Sequence, residues 1–215
     1  MGKKILLSIF LAVCVVIAIY YFGCNQNNKL PVYNPADFNP KLVDATLRHI
    51  VKEHTVSDFN LINQNGLTIT QKNYENKIYV TDFFFTRCPS ICPIMSNHME
   101  QLQEIFLEED DVMFLSLSVT PKLDSVPILK EYAKKHGVQD HKWNITTGNK
   151  KHIYNLARKS YFAVVEQGDG GLQDFIHTPN FILIDKEKRI RGVYNGTQEE
   201  EIERIAIDIK KLLKE

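Results

Sequence analysis

Hydrophobic and polar residues are segregated along the chain in patterns that predict alternating β and α units. Residues 59–70, "FNLINQNGLTIT", alternate in polarity around Asn65-Gly66, a pair that tolerates the positive φ angles of a tight hairpin turn. Residues 77–85, "KIYVTDFFF", are almost continuously apolar, which is typical of a strand buried on both faces. A second buried strand is predicted over residues 111–119, "DVMFLSLSV".

Helical periodicity follows each of these two strands. After the first, four apolar residues recur on one face of a helix, namely Met95, Met99, Leu102 and Phe106. After the second, residues 124–137 predict a helix with Asp124 as its N-cap and Gly137 as its stop. A short strand, a helix, a hairpin and an amphipathic C-terminal helix are then predicted over residues 141–147, 149–160, 181–194 and 198–215.

This order of elements predicts an α/β fold with a mixed sheet and helices on both of its faces. Ligand sites in such folds lie beyond the carboxyl ends of the strands. Cys88 occurs just after the strand predicted at residues 77–85, and Cys92 follows four residues later. The cysteine pair therefore lies where the fold predicts chemistry.

The N-terminal segment predicts attachment to a membrane. Residues 5–22 carry no charge in 18 positions, and as a helix they would extend about 27 Å, close to the thickness of a hydrocarbon core. The alternative is a lipoprotein-type signal, because Gly23 places a small residue directly before Cys24. Lys3 and Lys4 favour a cytoplasmic N-terminus, so the remaining chain is expected outside the cytoplasm, on the periplasmic side of an inner membrane.

Three regions are expected from these patterns. Residues 1–24 form the anchor or signal, residues 25–45 an asparagine- and proline-rich linker, and residues 46–215 one folded domain. The 26 basic and 26 acidic residues balance, and removing Lys3 and Lys4 leaves 24 basic against 26 acidic residues beyond residue 24. This balance leaves no basic stripe for a phosphate backbone, so nucleic acid is excluded as a partner.

The spacing of Cys88 and Cys92 allows three interpretations. A disulfide would close a loop of about five residues and stabilise the fold by only about 2 kcal/mol, so a structural staple gains little. A thiol at the start of a helix is favoured as thiolate, which suits a redox pair. Two soft thiolates also suit Cu(I), which accepts two or three ligands, whereas zinc requires four.

A third ligand would come from one of seven histidines. His98 is near in sequence, but it lies about 240° around the helix from Cys92 and points elsewhere. His177 precedes the predicted strand at residue 181, in a loop whose Thr178-Pro179 bond is a candidate for the cis form. Three others are interpreted as solvated, namely His136, His141 and His152.

Several segments together resemble the Sco/SenC family. "DFFFTRCPSICP" at residues 82–93 is similar to the family's cysteine signature, and "SVTPKLDS" at 118–125 to the segment after the next strand. "WNITTG" at 143–148 and "DFIHT" at 174–178 follow in the family's order. The resemblance covers roughly residues 56–214.

The resemblance implies a thioredoxin-like, three-layer α/β/α fold with an N-terminal β-hairpin extension and a membrane anchor. It further implies one bound copper ion, with Cys88, Cys92 and His177 as ligands; whether Cu(I), Cu(II) or both are carried stays open from the sequence. The expected function is that of a metallochaperone rather than an enzyme. It would deliver copper to the binuclear copper site of a cytochrome c oxidase subunit, or prepare the thiols of that site.

Other functions remain open from the sequence. Cys88 and Cys92 could act as the redox pair of a membrane-tethered thiol–disulfide oxidoreductase, and peroxide reduction is a third alternative. Two positions depart from the family pattern: Thr120 stands where the family often has Asp, and Pro179 follows His177-Thr178 as in thiol–disulfide oxidoreductases. The second departure, Pro179, increases the weight of the redox role.

Overall fold

The computed structural model describes residues 13–14, 29–38, 43, 46–52, 54–164, 168, 170–171 and 173–215. Most of the predicted anchor segment and Cys24 lie outside these described residues. Among the residues that are described, no helix is long and apolar enough to cross a membrane.

The secondary structure follows the predicted order. The strands are β1 (Asn60–Asn63), β2 (Thr68–Thr70), β3 (Ile78–Phe84), β4 (Val112–Ser118), β5 (Trp143–Thr147), β6 (Asn180–Ile184) and β7 (Ile190–Asn195). The α-helices of the domain are α1 (Ile91–Ile105), α2 (Val126–Lys135), α3 (Lys150–Asn155) and α4 (Glu199–Leu212). Short 3₁₀ turns occur at Pro35–Asp37 and Gln71–Tyr74.

All strands join one sheet in the order β2-β1-β5-β4-β3-β6-β7. Strands β3, β4 and β5 are parallel, so their carboxyl ends share one edge. Strand β6 runs antiparallel to β3, and its first residue therefore lies at that same edge. This topology brings the segment after β3 and the segment before β6 together, although they are far apart in sequence.

The mixed sheet has a hydrophobic core on each face, as predicted. Side chains of β3 alternate between the cores, with Tyr79 and Phe83 on one face and Val80 and Phe84 on the other. Helices α1, α2 and α4 cover the face of Val80, while α3 and residues from the N-terminal side cover the opposite face. In α1, the predicted apolar residues Met95, Met99 and Leu102 are fully buried. The layered α/β arrangement is thus confirmed.

Two local predictions need correction. The helix predicted with Asp124 as its N-cap begins one residue later, with Ser125 as N-cap, and Asp124 is fully buried instead of capping it. The helix predicted over 149–160 is α-helical only to Asn155 and continues as a π-helical turn, Leu156–Ser160. The hairpin turn is confirmed, with Gly66 at a φ of +76°.

Candidate metal centre at the cysteine turn

The two cysteines lie in the turn that joins β3 to α1. Ser90 is the N-cap of α1, so Cys88 precedes the helix and Cys92 lies in its first turn. The backbone N–H of Cys92 donates to Cys88 Sγ at 3.5 Å, and Ser90 Oγ lies 3.7 Å from the same sulfur. The sulfur of Cys88 therefore occupies the place where a helix offers unpaired N–H groups and a positive dipole end.

The environments of the two thiols differ in their effect on ionisation. Burial opposes ionisation of Cys88, but hydrogen bonds from the backbone of Cys92 and Ser90 and from His177 outweigh it and lower the pKa of Cys88 to about 6. Burial, together with the neighbouring Cys88, raises the pKa of Cys92 well above its ordinary value. At neutral pH, Cys88 is therefore the thiolate and Cys92 the protonated thiol in the metal-free protein.

Both cysteines are free thiols in this structure. Cys88 is only 6% exposed and Cys92 only 2%, so the pair is sheltered from bulk solvent. The reduced form is the one that offers two sulfur ligands, because a disulfide has no thiolate to bind a metal.

His177 reaches this turn from the loop that precedes β6. Its Nε2 lies 3.9 Å from Cys88 Sγ, across 89 positions of sequence. Its ring lies beside Phe85 and is nearly parallel to Phe175, with centroid distances of 6.1 and 6.4 Å. The imidazole itself is exposed.

The distance between Cys88 and His177 fits two ligands of one ion. Metal–sulfur and metal–nitrogen bonds of about 2.3 and 2.0 Å place two ligand atoms about 3.5 to 4.3 Å apart, depending on the angle between them. In the described part of the chain, no three His, Cys, Asp or Glu side chains form a set that could hold a metal ion as it stands. Closing a three-ligand site therefore requires a side-chain adjustment.

The other histidines lie elsewhere. His98 is directed away from the cysteines, as predicted, and binds the carbonyl of Gly196 through Nδ1 at 2.8 Å and Glu199 through Nε2 at 3.2 Å. The expectation that His136 is solvated is wrong, because it is 4% exposed and packs on the Tyr132 ring. Burial lowers the pKa of His136, and the nearby Lys135 adds to this effect.

A buried carboxylate, Asp82, lies behind the cysteine turn and was missed by the sequence reasoning. It is 2% exposed, and its Oδ1 has no hydrogen-bond partner. Burial is the main influence that raises its pKa to about 7, and its charge contributes to raising the pKa of Cys92. The signal available in sequence was a single acidic residue inside an apolar strand.

A second buried carboxylate holds the start of the cysteine turn. Asp124 accepts hydrogen bonds from the hydroxyls of Thr86, Ser118 and Thr120, with the bond from Thr86 at 2.6 Å. These four residues, called the Asp124 cluster below, join the turn after β3 to the end of β4. The sequence reasoning missed this role because an acidic residue before a helix resembles an N-cap.

Comparison with known proteins agrees with these features. The family model described as SCO1/SenC matches residues 48–214. The chain belongs to the SCO1/SenC family. The resemblance noted in the sequence is thereby confirmed.

Solved structures of Sco proteins have the same fold. A SCO1/SenC family lipoprotein from Bacillus anthracis is 32% identical, with a TM-score of 0.66 over 74% of this chain and 95% of that one. BsSco, studied for a disulfide switch and belonging to the Sco family of cytochrome c oxidase assembly proteins, is 31% identical, with a TM-score of 0.63 over 74% and 93%. Bradyrhizobium japonicum ScoI with copper bound is 24% identical, with a TM-score of 0.58 over 74% and 99%, and it supports the fold alone.

The structure shows the surroundings of the two positions that depart from the Sco pattern. Thr120, at the position where the family often has Asp, donates its hydroxyl to Asp124 at 2.8 Å and so belongs to the Asp124 cluster. The Thr178-Pro179 peptide is trans, so the expected cis bond is absent. His177 thus approaches Cys88 with a trans bond between Thr178 and Pro179.

Proposed function

We propose that this Sco protein binds one copper ion through Cys88, Cys92 and His177 and passes it to another protein. The observation that carries the proposal is the 3.9 Å approach of His177 Nε2 to Cys88 Sγ. Residues so distant in sequence meet at the ligand-binding edge of the sheet, beside a second thiol.

Copper suits this set of donors. Two thiolates and one imidazole provide soft and intermediate ligands, which favour Cu(I), and the low pKa of Cys88 makes its sulfur available at neutral pH. Binding to Cys92 would release its proton, because a metal lowers the pKa of a coordinating thiol. Cu(II) is the second state that the three ligands could hold.

The proposed partner is a cytochrome c oxidase subunit that carries a binuclear copper site. The related BsSco belongs to a family of cytochrome c oxidase assembly proteins, and a Sco structure with copper bound shares the fold. We place the domain of residues 46–215 in the cell envelope, outside the cytoplasm. It would be tethered through residues 1–24, as a retained helix or a lipid on Cys24, and through the linker at 25–45.

Competition against a Cu(I) chelator tests the binding proposal. The reduced wild type should bind one Cu(I) per chain, and Cys88→Ser, Cys92→Ser and His177→Ala should each weaken binding at least about tenfold. His141→Ala is the matched control, because His141 is exposed and precedes β5 at the opposite edge of the sheet. Sub-stoichiometric binding by wild type, or unchanged affinity in His177→Ala, would contradict the proposal.

A thiol–disulfide oxidoreductase is the second candidate, supported by the unequal ionisation of the cysteines. The Cys88 thiolate would attack a client disulfide to form a mixed disulfide, and the departing client sulfur would take up a proton. Cys92 would then lose its proton and displace the client, leaving a Cys88–Cys92 disulfide and a client reduced by two electrons. A thiol reductant in the envelope would restore the pair.

An assay that measures the reduction of a protein disulfide in the presence of a thiol reductant distinguishes the two functions. Stoichiometric copper binding without turnover supports the chaperone, and turnover without copper binding supports the oxidoreductase. If both activities occur, we expect oxidation of the cysteines to abolish copper binding, so that the redox state gates transfer. Unchanged copper affinity after oxidation would rule out this gate.

A further inference from the structure

The loop that carries His177 is held by a buried ion pair. Arg158 donates from both terminal nitrogens to Asp174, with Nη1–Oδ2 and Nη2–Oδ1 distances of 2.6 and 2.7 Å. The side chains of Arg158 and Asp174 are only 11% and 7% exposed. Such a two-point bond fixes orientation as well as distance.

Further bonds converge on the same residue of the loop. The backbone N–H of Gly170 donates to Asp174 Oδ2 at 2.7 Å, and Lys150 Nζ donates to the carbonyl of Asp174 at 2.6 Å. The hydroxyl of Tyr154 donates to that carbonyl as well, at 3.2 Å. Lys150 Nζ and the guanidinium carbon of Arg158 also lie over the Tyr154 ring, 4.8 and 5.4 Å from its centroid.

The three side-chain donors to Asp174 come from one element, the helix α3 and its π-helical extension. Lys150, Tyr154 and Arg158 follow at intervals of four residues, and Arg158 lies within the π-helical turn. Wide turns of this kind often occur at functional sites because they redirect a side chain.

His177 lies between two fixed points of the loop. Asp174 is three residues before it, and Thr178 directly after it donates its hydroxyl to the carbonyl of Ala163 at 2.7 Å. Ile176, next to His177, is buried in the core. The backbone on both sides is thus held, while the imidazole itself remains exposed and faces Cys88.

We propose that Asp174 and Arg158 are positioning residues that hold His177 within reach of Cys88. They are not proposed as ligands and act by fixing the loop from which the imidazole projects. The consequence for copper affinity rests on the proposed function. The placement of His177 in the metal-free protein is independent of the proposed function.

The test uses two loop variants and one matched control in the reduced protein. Asp174→Asn removes the charge of the carboxylate, and Arg158→Lys keeps the positive charge but loses the two-point geometry. Asp185→Asn is the control, because Asp185 also pairs with a buried arginine, Arg191, at 2.9 Å, at the edge of the sheet away from the cysteines.

The first readout is independent of copper. In metal-free wild type, NMR should show cross-relaxation between the His177 ring and the rings of Phe85 and Phe175. We expect these contacts to weaken in both loop variants and to persist in Asp185→Asn. Unchanged contacts in folded Asp174→Asn and Arg158→Lys would overturn the proposal, whatever the outcome of copper binding.

The second readout is a double-mutant cycle with His177→Ala, measured by Cu(I) competition. We expect Asp174→Asn to weaken copper binding about tenfold in the wild type and to have no further effect when His177 is absent. An equal loss in both backgrounds would overturn the proposal, since it would indicate a general structural effect. If Asp174→Asn does not fold, the same cycle with Arg158→Lys decides between these results.

Discussion

The two halves of the candidate metal centre are held in place in different ways. The cysteine turn continues directly from β3 into α1, and the buried Asp124 cluster joins it to the end of β4. The histidine loop arrives from a remote part of the chain and depends on the ion pair between Arg158 and Asp174. Both cysteines are buried, whereas His177 is exposed.

This difference indicates that the proposed thiol ligands and the proposed imidazole ligand have different roles. Thiols built into a core-backed turn keep their geometry without metal, so they suit the first capture of an ion. An exposed imidazole on a separately held loop can move over a short distance, so it suits the closing and releasing of the site. The comparison predicts that substitutions of residues that support the cysteine turn lower the stability of the fold. Substitutions in the histidine loop should lower mainly the affinity for copper.

The largest effect is expected for Asp124→Ala. Removing this carboxylate leaves the hydroxyls of Thr86, Ser118 and Thr120 without their shared acceptor, and hydrogen bonds to a charged group contribute about 1.5 to 3 kcal/mol each. Because the hydroxyls can find other partners, we expect the free energy of unfolding to fall by about 3 to 5 kcal/mol in a denaturant titration.

The matched control is Asp111→Ala, which removes a carboxylate whose lysine partners, Lys77 and Lys186, are partly exposed. Its effect on unfolding should stay below about 1 kcal/mol. Equal losses in the two variants would show that the Asp124 cluster does not support the cysteine turn as described.

The next largest effect is a pH dependence of the free energy of unfolding that arises from Asp82. The pKa of Asp82 in the fold is about 7, above the ordinary value of 3.8, so the folded state retains a proton that the unfolded state has lost. The wild type should therefore lose stability as the pH rises from about 4 to about 7, by up to a few kcal/mol. Asp82→Asn cannot ionise, and its stability relative to wild type should increase between pH 5 and pH 8.

Denaturant titrations of both proteins at the two pH values measure this difference. The same stability difference at pH 5 and pH 8 would mean that the buried Asp82 carboxyl does not titrate in this range in the fold. The proposed copper ligands are unchanged in this variant, so the test separates the support behind the cysteine turn from the proposed ligands themselves.

The third effect is a difference in alkylation rate between the two cysteines. With the pKa of Cys88 lowered to about 6 and that of Cys92 raised, alkylation at pH 7 should modify Cys88 about 100-fold faster than Cys92. The rate at Cys88 should rise through a midpoint near pH 6. Mass spectrometry of peptides after short exposure to iodoacetamide measures both rates, and comparable rates at the two thiols would contradict the described asymmetry.

The smallest effect is expected at the far end of the histidine loop. Thr178→Val removes the hydroxyl that bonds Ala163 while nearly preserving shape, so stability should fall by about 1 kcal/mol. Copper affinity should fall only a few-fold, because the Asp174 contact remains. An affinity loss as large as that of His177→Ala would show that Thr178, and not Asp174, is the main support of the loop.

The features that were predicted correctly from the sequence are those that depend on the local pattern of residues. The hairpin at Asn65-Gly66, the buried strand β3 and the approach of His177 to Cys88 follow from turn chemistry, apolar runs and strand order. These features could be read from neighbouring residues or from a family resemblance.

The remaining features depend on contacts between distant residues. Asp124 before a helix has the local pattern of an N-cap, and only the folding of β4 beside the cysteine turn brings three hydroxyls to it. His136 lies at a helix end that predicts exposure, yet Tyr132 and the core enclose it. The pairing of Arg158 with Asp174 likewise has no local signal, because 16 positions and a π-helical turn separate them.

X-ray absorption spectroscopy of the Cu(I)-loaded protein tests the central claim most directly, because it identifies the atoms bound to copper. We expect two sulfur ligands and one imidazole nitrogen in wild type, and loss of the nitrogen contribution alone in His177→Ala. The His141→Ala control should match wild type. A nitrogen contribution that persists in His177→Ala, or a wild-type site with sulfur ligands only, would contradict the assignment of Cys88, Cys92 and His177 as the copper ligands.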